Sequence, residues 1–418
     1  MRRPATGPRT ALEAIKDERG WTWRDVARAI EREGFTVSEA HSRRLGTGVL
    51  GSTPSPGLAR AMERAFDGMP IAALLRSPSP APAGSGMGTT TEMEALKMAA
   101  EKMRKLGLNL TPLNDHRILE EELRDLARAY PVKALPELIN PMVTLQEAVA
   151  EAITNPTRPG DGRRLYAIAA ITGGMLAKAS HDLGNPAPAV TQARTALVFA
   201  DHLGNSTVTA WLNGMMSLIC YWDNRTHDSL DYARRGLAAS SDTTAALWLH
   251  ASSGRAWARL GNAEAAAASV QAADTLTESV EHSDLDEYGG LLTFTPARAA
   301  YYAADAYAWL PGHPDAERVA ANAVEAFSDK TQEDWAFGDA AGAACNLAIA
   351  RIHAGEIEGA TEALAQVLAL PREQRIGGII KSVQRVTAAL RTTDTGDRGQ
   401  VLADELDAFT RAPLVLQP

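Results

Sequence analysis

The stretch AKASHDLGNPAPAVTQARTA, residues 177–196, decides the fold. It reads as the end of one helix, a turn at Gly184 and the start of a second helix. Ala177, Ala189 and Ala196 stand at set distances from that turn. Two antiparallel helices approach closely only where no bulky side chain stands at the crossing. The turn between them wants a residue at ease with unusual backbone angles.

The same spacing returns four more times, around Asn224, Gly261, Pro311 and Gly355. Seven residues before these turns lie Ser217, Gly254, Ala304 and Ala348. Five residues after them lie Ser229, Ala266, Ala316 and Ala360, and twelve after lie Gly236, Ala273, Ala323 and Val367. A hairpin of this kind cannot bury its apolar face alone, so hairpins stack into a solenoid. Residues 169–376 are expected to form the array. Helices over 92–168 extend it at one end, and helices over 377–411 cap the other.

Composition agrees with an all-α chain. Alanine is frequent and strand-type alternation is scarce. Hydrophobic residues make up 45% and charged residues 22%, an ordinary soluble composition. With 418 residues, more than one core is expected. No apolar run reaches the roughly 18 residues that span a bilayer. Met1-Arg2-Arg3-Pro4 has no apolar segment behind it to make a secretory signal. No membrane partner is therefore expected. Cys220 and Cys345 lie in apolar helical patterns and read as buried free thiols, which suits a reducing cytoplasm.

Upstream, SPSPAPAGSGMGTTT at 77–91 keeps no apolar periodicity and reads as a flexible linker. Before it, residues 9–76 carry four or five short helices. The first holds Leu12 and Ile15 and stops at Gly20. The second opens on Thr22 and aligns Val26, Ala27 and Ile30. The third runs from about Ser38 to Leu45. Leu58, Met62 and Phe66 mark a fourth, and Ile71 to Leu75 close the unit. Residues 1–76 carry a net charge of +4 and the remainder −13. A basic head on an acidic body points to a polyanion at the head alone.

GWTWRDVA at 20–27 resembles the start of the second helix of Xre-type, lambda-repressor-like regulators. VSEAHSRRL at 37–45 falls where that family has its recognition helix, and 54–66 resembles the helix that follows. Trp23 stands where the family usually has Gln, and Ser42 near a usually apolar position. The resemblance implies a small helix-turn-helix domain that binds double-stranded DNA. It implies that Ser38, Glu39, His41, Ser42 and Arg43 supply the base-facing edge. Arg43 or Arg44 would read guanine or neutralise phosphate, and Thr22, Trp23 and Arg24 would meet phosphate at a helix N-terminus. One such domain covers about half a site, so a homodimer is expected.

The body resembles tetratricopeptide repeats, whose period is about 34 residues. Here the turns lie 40, 37, 50 and 44 residues apart, so the repeats are divergent. The resemblance implies a groove lined by the first helix of each pair. It assigns Lys178, His181, Trp211, Tyr221, Trp248, Arg255, Arg298, Tyr301 and Asp305 to that groove. Asn213 and Asn346 lie in first helices and resemble the backbone-clamping asparagines of peptide-binding repeats. Trp257 and Tyr307 match a packing position. The pairing of such a head and body is similar to bacterial quorum-sensing regulators that bind short peptides. In layout it is similar to large actinobacterial regulators. It implies a transcription regulator whose repeats bind a peptide or small-molecule effector. The alternative is a scaffold that recruits a protein partner, with a weak or lost DNA-binding head. The segment 281–295, in the longest gap between turns, reads either as a lid or as a plain surface loop.

Catalytic patterns are missing. There is no phosphate-cradling Gly-x-x-x-x-Gly-Lys-Ser/Thr, no His-Glu-x-x-His and no Gly-x-Ser-x-Gly. Two distant cysteines cannot build a cysteine-rich zinc site. Glu120-Glu121-Glu122 reads as a solvated helix face, and His250 and His313 as structural or exposed. No enzyme activity, cofactor, metal or catalytic residue is expected.

Overall fold

The structure, a computed structural model, describes residues 10–47, 54–66, 69–75, 116–154, 162–393 and 396–414. The chain divides into two compact units, residues 1–96 and 97–418. Among the described residues all regular elements are helices, and the one β-bridge joins Thr243 to Glu281. No described helix is long and apolar enough to cross a membrane. The expected linker at 77–91 lies outside the described residues.

Unit 1, in its described residues, is a small domain of short helices. It comprises α1 (Ala11–Glu18), α2 (Trp23–Arg32), α3 (Glu39–Gly46), α4 (Pro56–Ala65) and the single turn α5 (Ile71–Leu74). Side-chain caps set the starts. Thr10 caps α1, Ser38 caps α3, and Ser55 with Pro56 opens α4. Thr22 and Asp25 form a reciprocal capping box on α2. The core gathers Leu12, Val26, Ile30, Leu45, Leu58, Met62, Phe66 and Leu74. The outer edge of the Trp23 ring abuts the end of α3, where a Cβ on Gly46 would stand 2.0 Å from it. That contact explains why glycine ends this helix.

Unit 2 begins with α6 (His116–Ala129) and α7 (Leu135–Thr154). Five hairpins follow: α8 (Gly162–Asp182) with α9 (Pro186–Leu203), α10 (Ser206–Trp222) with α11 (Thr226–Ala239), α12 (Thr244–Arg259) with α13 (Ala263–Thr277), α14 (Pro296–Tyr307) with α15 (Ala316–Ala326), and α16 (Phe337–His353) with α17 (Ile357–Leu368). The helices α18 (Gly377–Thr392) and α19 (Gly396–Thr410) end the unit. Left-handed backbone occurs at Gly184, Asn224, Gly261, Gly312 and Gly355, one per hairpin. In the fourth hairpin the special angle falls on Gly312, not on Pro311, because the proline ring forbids positive φ. Most of the small residues at the crossings are buried, as close helix approach demands. Ala316 is the exception; it opens α15 and is half-buried.

The first helices of successive hairpins touch in sequence, from α8 through α16 to α18. The row then closes on itself. A Cβ on Gly377, at the start of α18, would stand 3.1 Å from the carbonyl oxygens of His181 and Asp182 at the end of α8. Close approach along the row depends on mid-helix glycines. Gly174 seats the Trp211 ring, Gly214 seats Trp248, and Gly342 seats Tyr301, where a Cβ would lie 2.3, 2.6 and 2.5 Å from the facing ring. A mid-helix glycine costs about 1 kcal/mol against alanine. The packing of a buried aromatic ring outweighs that cost.

This balance has a measurable sign. Gly174→Ala should lower stability by up to about 2 kcal/mol in urea unfolding, because overpacking costs about 1–3 kcal/mol and the propensity gain is about 1. An unchanged or raised midpoint would show that Trp211 yields easily.

Candidate functional site

The closed row of helices encloses a cavity. Its volume is about 130 Å³, and it is partly open to solvent. Its walls come from elements distant in sequence. α10 and α12 give Trp211, Met215 and Trp248; α14 gives Arg298, Tyr301 and Tyr302; α18 gives Ile379 and Ser382. The turn between α6 and α7 adds Tyr130 and Pro131, and the backbone N–H of Phe337 donates to the Pro131 carbonyl at 3.2 Å.

The segment 281–295 forms part of the wall. Leu291, Leu292 and Phe294 line the cavity, and Leu285 is buried beneath them. Phe294 stacks on Trp248 with ring centroids 6.1 Å apart. Gly290 lies against α6, where a Cβ would stand 2.2 Å from the Ala127 carbonyl oxygen. Arg298 ties the segment down by donating to the carbonyls of Gly290 and Thr293 at 3.0 and 2.7 Å. Its Nε pairs with Asp339 at 3.0 Å.

Charges at the floor form a buried network. The Arg255 guanidinium is sandwiched between the rings of Tyr221 and Tyr302, 4.2 and 3.9 Å from their centroids. Asp305 is 1% exposed and accepts from the Tyr221 hydroxyl at 2.8 Å. It also pairs directly with Arg385 of α18, while Arg255 Nη1 stands 4.0 Å from it. The Trp309 indole N–H donates to the Tyr221 hydroxyl at 2.7 Å, and the Trp248 indole to the Tyr302 hydroxyl at 3.0 Å. Burial opposes the charge of Arg255, yet Tyr302, Tyr221 and Asp305 around it raise its pKa. Its Nε and Nη2 are buried with no hydrogen-bond partner among the described residues, as is the indole N–H of Trp211.

At the opposite wall Lys178 pairs with Asp182 at 2.6 Å, and the Tyr130 hydroxyl donates to the same carboxylate at 3.0 Å. His181 beside them is 6% exposed. Burial holds its pKa well below 6.5, helped by the charges of Lys178, Lys381 and Arg255. Burial likewise raises the thiols of Cys220 and Cys345, to about 11 and about 12. Both cysteines are free and buried. Among the described residues, no cluster of histidine, cysteine and carboxylate side chains has the arrangement of a metal site.

Of the residues assigned to the groove, Lys178, His181, Trp211, Trp248, Arg255, Arg298 and Tyr301 meet at the cavity. Tyr221 and Asp305 stand behind Arg255 as its supports. Asn213 and Asn346 do not belong with them. Asn213 donates to the Thr209 carbonyl at 2.8 Å, and its Cβ packs 3.1 Å from where a Cβ on Gly236 would be. It fills the interior of its own hairpin. Asn346 is 1% exposed and lines no part of the cavity. Trp257 and Tyr307 are half-buried packing residues, and Tyr307 stacks on His313. The sequence reading missed Tyr130, Asp182, Phe294, Tyr302 and Arg385. The mid-helix glycines 174 and 214, each followed by a tryptophan in the next first helix, were the available signal.

In unit 1, Glu39, Arg43 and Arg44 are exposed on α3 and His41 is half-buried. Among the described residues no ion pair holds Arg43 or Arg44. Ser42 does not belong to an outward edge. It is fully buried, because it occupies an inward position of α3 three residues before Leu45. Ser38 spends its hydroxyl on the His41 N–H as the cap. Arg24 pairs with Glu39 at 3.3 Å. At the start of α2 the Asp25 carboxylate takes the Thr22 hydroxyl and backbone N–H, at 2.6 and 2.8 Å. The protein's own anion therefore occupies the place assigned to phosphate beside Thr22. The Trp23 ring packs on Gly46 instead of facing outward.

No known family and no curated protein matches the chain in sequence. One similar solved structure is a tetratricopeptide repeat protein from Parabacteroides merdae ATCC 43184, with a TM-score of 0.35 and 12% identity over 70% of this chain and 99% of that one. The hairpin architecture described here stands on the geometry of unit 2 itself.

Two measurements probe the site. Asp305→Ala strands the Arg385 charge and removes the acceptor of Tyr221, so it should cost about 3–5 kcal/mol in urea unfolding. A loss below about 1 kcal/mol would mean that the network is not held together at Asp305. His181 gives a pH dependence. The unfolded chain takes up a proton below pH 6.5 and the folded chain resists it, so stability is full above 6.5 and falls as pH drops from there. The slope contributed is at most about 1.4 kcal/mol per pH unit. His181→Gln should flatten it, and an equally steep acid loss in that variant would remove His181 from the account.

Proposed function

We propose that the chain is an effector-responsive transcription regulator acting in the cytoplasm. Unit 1 binds double-stranded DNA as a homodimer of Xre type, and the cavity of unit 2 binds a small effector. The observation that carries the effector half is a partly covered cavity whose floor holds a buried arginine with unmet hydrogen-bonding capacity. Ligand sites are typically concave, mostly apolar and furnished with a few polar groups. A small, partly covered cavity favours a small molecule over a peptide laid along an open groove.

The DNA half is supported by the helix-turn-helix order, by the exposed Arg43 and Arg44 on α3 and by the positive charge of the head. The contacts proposed for DNA are now His41, Arg43 and Arg44, with Glu39 and Arg24 at the edge. The hairpin array also favours a second reading, a scaffold that holds a protein partner on its outer helices.

Selection of random duplex DNA by the full-length chain separates the readings. The regulator reading expects a palindromic motif of two half-sites. Arg43→Ala with Arg44→Ala should weaken binding to it roughly tenfold or more. Sequence-independent, salt-sensitive binding with no recovered motif would sink the DNA half. A protein that co-purifies with the chain in stable stoichiometry while no DNA motif emerges would favour the scaffold.

A further inference from the structure

We infer that the cavity's ligand is a small organic acid, with a carboxylate at Arg255 and an apolar or aromatic body against the tryptophan walls. This rests on the effector-binding reading above and names the chemistry of that site.

The first argument is a charge count at the floor. Arg255 and Arg385 are both withdrawn from solvent, and Asp305 is the carboxylate that faces them. Arg385 is in direct contact with Asp305, and Tyr221 occupies one of its oxygens. Arg255 is left at 4.0 Å with a partner already shared. The other carboxylates in the wall are engaged elsewhere, Asp182 with Lys178 and Asp339 with Arg298. A buried guanidinium without a full counter-charge is costly, and so is a buried donor without an acceptor.

The second argument is geometric. The two unpartnered nitrogens of Arg255 are Nε and Nη2, which share one edge of the guanidinium. That edge is a fork matched to the two oxygens of a carboxylate. Both atoms are closed off to water and equally to a ligand oxygen, so a carboxylate reaches them when a neighbouring wall side chain moves aside. Stacking between Tyr221 and Tyr302 fixes the plane of the fork. Trp211, which lines the same cavity, keeps a further unused donor in its indole N–H. All three unmet groups are donors, and a carboxylate is an acceptor without hydrogens of its own. Around them the wall is apolar, with Leu138, Met215, Trp248 and Phe294 ready for a flat hydrocarbon body.

The test is a matched pair of probes, naphthalene-2-acetate and the neutral naphthalene-2-acetamide, titrated calorimetrically into the full-length protein. The acid should bind roughly ten- to a hundredfold more tightly than the amide, the range expected for a charge-assisted hydrogen bond. Arg255→Met keeps a similar stem and removes the charge. In that variant the preference should vanish, the acid losing more affinity than the amide. Trp211→Phe should trim the acid preference and leave the fold intact by circular dichroism. Equal binding of acid and amide to the unaltered protein would overturn the carboxylate assignment and leave the cavity reading standing. So would a preference that survives Arg255→Met. If neither probe binds at millimolar concentration, the effector-binding reading falls and this inference falls with it.

Discussion

Unit 2 depends on how closely its first helices approach one another. A helical hairpin with a smooth inner face stacks at a distance set by its bulkiest inward residue. Here that residue is an aromatic ring, and the neighbouring helix makes room with glycine. Trp211 enters beside Gly174, Trp248 beside Gly214 and Tyr301 beside Gly342. The rings lie against backbone instead of prying the helices apart. A row held this tightly brings α18 back to α8, and the groove of an open array becomes a cavity.

Closure changes what the inward side chains are worth. In an open groove Arg255 would face water and Asp305 would matter little, since exposed ion pairs contribute about 0–1 kcal/mol. Withdrawn from water, the same groups must find partners or pay heavily. Most do. Arg298 divides itself between Asp339 and two carbonyls, and Lys178 answers Asp182 with Tyr130 in support. His181 solves the problem by staying neutral. Among the described residues Arg255 is left with two adjacent nitrogens unmet, and Arg385, held by Asp305, with one. The rigidity of Arg255 between two tyrosine rings makes this a prepared site and not a floppy defect.

The legible part of the fold was the part governed by local rules. Small residues at crossings and glycine or asparagine at turns depend on neighbours within one hairpin, so a fixed spacing revealed them. The exception is instructive, since Pro311 marked the fourth turn while Gly312 carries the left-handed angle. Side chains on inner helices were legible as a face, which is why Trp211, Trp248, Arg255 and Tyr301 were placed together. Asn213 failed because helix spacing alone does not say whether a residue looks inward or toward its own partner helix. Ring closure was illegible. It joins α8 to a helix some two hundred positions later, and no repeat spacing encodes that meeting. Arg385 was therefore read as part of a cap, although it holds Asp305 in place.

The same closure weighs on the choice between effector and scaffold. A stable protein partner usually buries about 800 Å² on each side, centred on apolar anchors. Among the described residues of unit 2 the exposed large apolar side chains are Ile118, Val132, Val143, Val198, Leu260 and Val401, which sit on six different helices or turns. None is aromatic. Much of the aromatic surface that would anchor a partner faces a cavity partly covered by the 130–135 turn, the 281–295 segment and α18. Turning Trp211, Trp222, Trp248, Tyr301 and Tyr302 toward a cavity, beside an arginine edge without partners, favours the proposed small effector over the scaffold.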